Sequence, residues 1–248
     1  MKLKDQVAVV TGAGSGIGRA IALRFAAEGA RVVVAELRAE TGEQTAAELR
    51  KQGHDPLVVA TDVTDPQAVA RLFAAVDERG WPVDILVNNA GTAESGLLPT
   101  TDVPDDRWHS QLRVHLDGTF FCIREALRRM VPRQKGAIIN LGSVAGLGGL
   151  PGAIAYTAAK GGVIAMTKGL SQEVAPLGIR VNCIAPGWIN TPMLDHLPEK
   201  WRPGMVKHTP LGRLGEPEDI AGVALFLASD DSAFVVGQVI SPNGGMYR

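Results

Sequence analysis

Tyr156 and Lys160 stand four residues apart in "YTAAK", a spacing that projects both side chains from one face of a helix. A phenol with an ordinary pKa near ~10 is a poor base at neutral pH, and a neighbouring ammonium stabilises its phenolate. A tyrosine so supported can take the proton of an alcohol while a hydride leaves, and return it in reverse. Ser143, in "INLGSVAG", follows a β-rich run into a glycine-rich turn, where its hydroxyl can steady the changing charge on a substrate oxygen. By itself a Tyr-x-x-x-Lys is equally compatible with a structural pair on a helix. The elements around it decide what the pair is for.

Those elements alternate along the whole chain. Strands are expected at 7–12, 31–36, 56–61, 83–88, 136–143, 179–186 and, briefly, 237–242. Most are unbroken apolar runs such as "VAVV" and "RVVVAE", the pattern of parallel strands covered on both faces. Between them lie helical stretches, "GIGRAIALRFAAEG" and "AELRAETGEQTAAELRKQG" among them, the second closed by Gly53 as a C-cap. With right-handed crossovers this order predicts a Rossmann-like, doubly wound parallel sheet of about seven strands with helices on both faces. No linker, repeat or low-complexity tract interrupts it, so residues 1–248 are expected to form a single domain. Ser143 then lies at a carboxyl strand edge, where open α/β sheets bind ligands. The segment 188–216 resists the alternation. It carries four prolines and three glycines after a strand end and is expected to be a long irregular lid or binding loop.

The first strand runs into Thr11-Gly12-Ala13-Gly14-Ser15-Gly16-Ile17-Gly18. Glycines there permit a sharp turn and a close approach of backbone N–H groups to a pyrophosphate at a helix N-terminus. The spacing is G-x-x-x-G-x-G rather than G-x-G-x-x-G, and a glycine cluster alone is also what a tight strand–helix turn requires. Its place after strand one makes it a dinucleotide site. Glu36, at the end of strand two, can accept from adenosine ribose hydroxyls and would repel a 2′-phosphate, which points to NAD over NADP. Ser15, where a basic residue would suit NADP, agrees. Arg38 is the dissenting residue, able to reach a 2′-phosphate or to remain a solvated surface arginine. Asp62, ending strand three, is placed either beside an adenine or as an exposed turn aspartate.

Composition narrows the partners. Lys and Arg number 25 against 26 Asp and Glu, a net charge of -1, which favours neither nucleic acid nor a membrane surface. The two cysteines, Cys122 and Cys183, lack metal-ligand spacing and read as buried thiols in a reducing compartment. No metal site is expected. No apolar run approaches the ~20 residues that cross a bilayer. The chain passes from "MKLKDQ" straight into "VAVVTG", leaving no room for a signal peptide, so a cytoplasmic protein is expected.

Five motifs in this order, "TGAGSGIG" (11–18), "NNAG" (88–91), "GS" (142–143), "YTAAK" (156–160) and "PGWINT" (186–191), resemble those of the short-chain dehydrogenase/reductase family over essentially the whole chain. The resemblance implies that Tyr156 is the general acid/base and that Lys160 lowers its pKa and binds the nicotinamide ribose. Ser143 would hydrogen-bond the substrate oxygen. Gly12, Ser15, Gly16, Ile17 and Gly18 would hold the cofactor with Glu36, Asp62, Val63 and Ala90. Asn88 and Gly91 would shape the adenosine side. Pro186, Gly187, Ile189 and Thr191 would hold the carboxamide and phosphate region, and the segment from Trp188 would be the substrate lid. Homotetramers or homodimers packed through two long helices are the family's habit.

One helix departs from the family. "VHLDGTFF" (114–121) reads as the middle of a long amphipathic helix with His115 on its apolar side, where the family usually has Val-Asn-Leu-x-Gly-x-Phe. His115 thus stands at a catalytic-tetrad asparagine. The family's asparagine is thought to act partly through its backbone carbonyl, which holds a water in a proton relay from the lysine, and a carbonyl survives substitution if the local helix distortion persists. The imidazole can replace the amide's hydrogen bonds or titrate near neutral pH, and it can also be simply packed.

The lid offers Met193, Leu194, Leu197, Trp201 and Met205, and the turn after Ser143 offers Val144, Leu147 and Leu150. They suggest a mainly apolar pocket for a medium-sized secondary alcohol or ketone. His196 and Glu94 are the nearest polar candidates, each also readable as solvated, and Arg202 is the one clear lid arginine. The rival within the class is a 3-oxoacyl-[acyl-carrier-protein] reductase using NADPH, whose C-terminal pattern "PLGRLGEPEDIA" resembles this one. Gln134 and Gln172 occupy positions where carrier-binding arginines would be sought, although Arg133 and Lys135 leave some positive charge. A sensor that keeps the fold without the chemistry is the reading from another class, and the joint presence of Ser143, Tyr156 and Lys160 argues against it.

Overall fold

The computed structural model describes residues 1–92 and 96–247; Glu94 and the side chain of His196 lie outside what it describes. Seven parallel strands form one sheet: β1 (Val7–Thr11), β2 (Arg31–Glu36), β3 (Leu57–Ala60), β4 (Val83–Asn88), β5 (Gly136–Leu141), β6 (Ile179–Ile184) and β7 (Val239–Ile240). Their order is β3-β2-β1-β4-β5-β6-β7. All seven expected strands are present. The apolar runs arise because successive side chains point to opposite faces and both faces are covered. In β1, Ala8 and Val10 join one core with Ile21 and Phe25 of α1 (Gly16–Ala27) and with Ile220 and Ala224 of α9 (Pro217–Ala228). Val7 and Val9 join the other, with Leu72 and Phe73 of α3 (Pro66–Glu78) and Ile123 and Ala126 of α5 (Gly118–Met130).

The chain reverses its winding direction between β1 and β4. That switch point leaves a crevice beyond the carboxyl ends of the two strands, the ligand position of such sheets.

Three local expectations are refined. The helix α2 runs over Ala39–Lys51, because Ala35 and Glu36 belong to β2. Gly53 stands one residue beyond its cap at φ +85, with its N–H on the Arg50 carbonyl and that of His54 on Leu49. The "VHLDGTFF" stretch is not one regular helix: α4 (Asp105–Leu112) passes through a π-helical turn, Arg113–Asp117, into α5. Finally, 188–216 is more ordered than its prolines suggest, containing short 3-10 turns at Pro192–His196 and Glu199–Trp201 and the helix α8 (Arg202–Lys207). Prolines sit at the first turn of these pieces, where a missing N–H is tolerated. Among the described residues no helix is long and apolar enough to cross a membrane.

Candidate active site

The glycine loop is built by close backbone approach. Gly12 and Gly16 have φ of +63 and +50, which favour glycine. A Cβ on Gly18 would lie 2.2 Å from the Gly12 carbonyl oxygen, and one on Gly12 would lie 2.9 Å from Ala90 Cα. Only bare backbone lets α1 start this close to β1. Ser15 is the N-cap of α1, extended and without a side-chain capping bond, so the first-turn amides of a twelve-residue helix face the crevice.

A residue outside the sequence expectation ties the loop down. Asn89 donates through Nδ2 to the carbonyls of Thr11 and Gly12 at 2.9 and 3.1 Å. The N–H groups of Asn89 and Ala90 both donate to Thr11 Oγ1 at 3.0 Å. Asn88 points elsewhere. It is buried, opposes Asn140 in the β4–β5 register, and donates to its Oδ1 at 2.8 Å; Asn140 in turn donates to Thr167 Oγ1 at 2.9 Å. Two adjacent asparagines at a strand end necessarily face opposite ways. That alternation in "NNAG" is the signal that could have pointed to Asn89, which the sequence reading passed over for Asn88.

Glu36 leans over the loop, its carboxylate accepting from Gly14 N–H at 2.9 Å and from Arg38 N–H at 3.4 Å. Arg38 itself is exposed. Asp62 folds back to accept from Thr64 N–H and hydroxyl at 2.9 and 2.8 Å, in an exposed turn. Buried Val63 packs against Gly118, at the start of α5. On the far side, Val144 N–H bonds the Pro186 carbonyl at 3.0 Å, and Gly187 abuts Asn243. Buried Ile189 bridges to Gly215, and Thr191 lies against Gly16, its Cγ2 3.1 Å from where a Cβ would be. The first and last parts of the proposed cofactor site thus touch. Bare loop backbone, a helix N-terminus and a carboxylate at the β2 end form a cradle that fits a dinucleotide.

Facing it stand the residues singled out for chemistry. Ser143 follows β5 as the N-cap of α6 (Val144–Gly148), with Oγ accepting from Ala145 N–H at 3.1 Å. Its hydroxyl hydrogen therefore remains to be donated. Tyr156 and Lys160 lie one turn apart on α7 (Ile154–Val174). Lys160 Nζ is 5.7 Å from the Tyr156 ring centre and donates to the Leu141 carbonyl at 2.7 Å. Burial pulls the Lys160 ammonium down to about 8, opposed by nearby Cys183. Both cysteines are free and buried, with burial raising Cys122 to about 12 and Cys183 to about 11. Buried His115 is edge-on to Tyr156, with ring centres 5.3 Å apart and planes at 84°.

One cavity of about 310 Å³ gathers these groups. Ile17, Gly91, His115, Ser143, Tyr156, Lys160, Ile189 and Thr191 line it, with all five expected lid residues and with Val144 and Leu150, but not Leu147. Leu97, Trp188 and Met246 add apolar wall that the sequence did not single out. Arg202 is turned away and bound to Asn190 Oδ1 and Asp195 Oδ1, both at 3.2 Å.

Sheet and cavity define the class, an α/β oxidoreductase of the doubly wound, dinucleotide-binding kind. A family model described as enoyl-(acyl carrier protein) reductase matches residues 12–247. The (2S)-[(R)-hydroxy(phenyl)methyl]succinyl-CoA dehydrogenase subunit BbsD of Thauera aromatica is 43% identical, over 99% of this chain and 98% of its own. The 3-oxoacyl-[acyl-carrier-protein] reductase FabG of Thermotoga maritima is 41% identical over 99% of both chains. A solved structure from Agrobacterium tumefaciens, provisionally named a gluconate dehydrogenase, superposes with a TM-score of 0.94 at 37% identity, covering 99% of this chain and 97% of that one. The chain belongs to the short-chain dehydrogenase/reductase family.

Proposed function

We propose that this oxidoreductase moves a hydride between NAD and a medium-sized, mainly apolar secondary alcohol or ketone, with Tyr156 as the general acid/base. The observation that carries the reading is the convergence of Ser143, Tyr156 and Lys160 on a cavity whose remaining wall is mostly aliphatic and aromatic. A bound nicotinamide would supply the hydride acceptor or donor. In oxidation Tyr156 takes the alcohol proton at its phenolic oxygen, and in reduction it returns it. Lys160 stabilises the phenolate as an ammonium held by Leu141. Ser143 donates its remaining hydrogen to the substrate oxygen as charge develops there. The segment 188–216 acts as the lid that excludes water, and 1–248 acts as one NAD(P)-binding domain.

The position of Glu36 beside Gly14 supports NAD, since a carboxylate there accepts from ribose hydroxyls and repels a 2′-phosphate. His115 takes the place of the family's tetrad asparagine. The FabG relatives favour a second reading, reduction of a 3-oxoacyl carrier-protein thioester with NADPH. Against it, Arg133 and Lys135 turn to the buried carboxylate of Asp84, at 2.6 and 3.8 Å, so that charge is already engaged. A screen of ketones, alcohols, sugars and acyl thioesters against NAD(H) and NADP(H) separates them. Neutral ketones with NADH should be the best pair; a 3-oxoacyl thioester with NADPH as the best pair would overturn the first reading in favour of the second.

A further inference from the structure

The cavity has a polar group that this chemistry leaves unused. His115 Nε2 lies 3.1 Å from the carbonyl oxygen of Thr92. A carbonyl only accepts, so Nε2 carries the hydrogen, and the neutral ring's Nδ1 is then a bare lone pair. Burial and the Lys160 charge both hold the ring's protonation well below its usual range, against the bond to Thr92. The imidazole is therefore neutral at physiological pH and does not titrate near neutrality as the sequence allowed.

Nδ1 is buried and, among the described residues, has no hydrogen-bond partner. Such an orphaned acceptor is costly to keep, and the ring is not free to turn in search of a donor. Thr92 holds one edge, and Tyr156 stands against it in edge-to-face contact. The backbone is fixed as well, because the π-helical turn presents the His115 carbonyl to Thr119 Oγ1, which donates to it at 2.7 Å. The Cε1–Nδ1 edge faces Gly91, where a Cβ would lie 2.7 Å from Cε1 and 3.1 Å from Nδ1. Gly91 is exposed and lines the same cavity as His115, Tyr156 and Lys160. Only a glycine leaves this edge approachable.

We propose that His115 Nδ1 is a ligand-reading acceptor, taking a hydrogen bond from a hydroxyl brought into the cavity beside Gly91. Two hydroxyls have the required chemistry, that of the dinucleotide's ribose and that of the alcohol substrate. The inference rests on the reading of the site as a nicotinamide-linked dehydrogenase. An asparagine at this place can donate to Thr92 through its amide nitrogen and accept through its oxygen, so it reproduces both functions, whereas leucine reproduces neither.

The test is nitrogen NMR on the full chain with ¹⁵N-labelled histidine, His115 being assigned by its disappearance in His115→Asn. Without ligand, Nδ1 should resonate as an unprotonated nitrogen with a free lone pair. Saturation with NAD⁺, or with NAD⁺ and cyclohexanol, should move it to the hydrogen-bonded position. Movement with NAD⁺ alone assigns the ribose, and movement only after cyclohexanol assigns the substrate hydroxyl. His115→Leu should weaken the ligand that moves the signal about fivefold, and His115→Asn by no more than about twofold. Calorimetry with NAD⁺ keeps the two claims apart, since failure to bind NAD⁺ refutes the nucleotide reading itself. NAD⁺ binding with Nδ1 unmoved in both arms, an Nδ1 already protonated or hydrogen-bonded before ligand is added, or wild-type affinity in His115→Leu would each overturn the acceptor role.

Discussion

Replacing Lys160 with methionine should make the protein more stable while destroying its activity. The side chain is 6% exposed, and burial lowers its pKa from 10.5 to about 8. At pH 7 the folded state thus carries a charged group whose burial costs about 3 kcal/mol relative to the unfolded chain. Methionine fills a similar volume without charge, and its drawback is the Leu141 carbonyl left without its donor, roughly 1 kcal/mol. The net gain is about 2 kcal/mol, or a rise in Tm of roughly 4–8 °C for a chain of this size. The sign with pH follows from proton uptake. Between about 8 and 10.5 the unfolded chain holds more protons at this lysine than the folded one, so wild-type stability rises with pH across that window. The wild-type penalty falls below about 1 kcal/mol by pH 10, and the variant's advantage should shrink to nothing there. Thermal unfolding of both proteins at pH 7 and pH 10 reads this directly. A variant less stable than wild type at pH 7, or a difference that ignores pH, would refute the reasoning.

Three further outcomes follow from the geometry. Gly18→Ala places a methyl 2.2 Å from the Gly12 carbonyl oxygen, so the loop must open on the order of 1 Å, and NAD⁺ affinity by calorimetry should fall more than about tenfold with the circular dichroism spectrum unchanged. Asn140→Leu strips the buried Asn88 amide of its acceptor and should cost about 2 kcal/mol in urea unfolding; pairing it with Asn88→Leu should recover part of the loss, since the Asn88 amide is then gone and Thr167 Oγ1, though it loses the Asn140 donor, keeps its own bond to the Val163 carbonyl. A neutral single replacement would contradict the buried chain. Glu36→Ala should shift the kcat/KM ratio toward NADP, and a wild type that already prefers NADP sinks the argument from this carboxylate.

What was readable in advance was whatever one side chain or one local period determines. Most of the strands show as apolar runs because both faces of the sheet are covered, and the glycine loop, Ser143, Tyr156 and Lys160 carry their chemistry in residue type and spacing. The end of β2 was blurred into α2 because "AELRAE" is made of good helix formers, which sheet pairing with β3 overrides at Ala35 and Glu36. The π-helical turn at Arg113–Asp117 was hidden, since no pattern of residue types marks an i→i+5 bond, and so was the Thr119 hydroxyl on the His115 carbonyl. The Asn88–Asn140–Thr167 chain joins two strands and a helix, and it exists only once β4 and β5 are in register. The prolines of 188–216 suggested irregularity, yet two of them, Pro192 and Pro203, sit in the first turn of short helical pieces.

The central claim is that Tyr156 transfers the proton while NAD carries the hydride. Single-turnover formation of NADH from a secondary alcohol, in wild type and Tyr156→Phe with NAD⁺ affinity measured on both, tests it most directly. The wild type should form NADH, and the variant should be slower by roughly 10²–10⁴-fold with NAD⁺ affinity nearly unchanged. NADH formed by Tyr156→Phe at the wild-type rate would contradict the account.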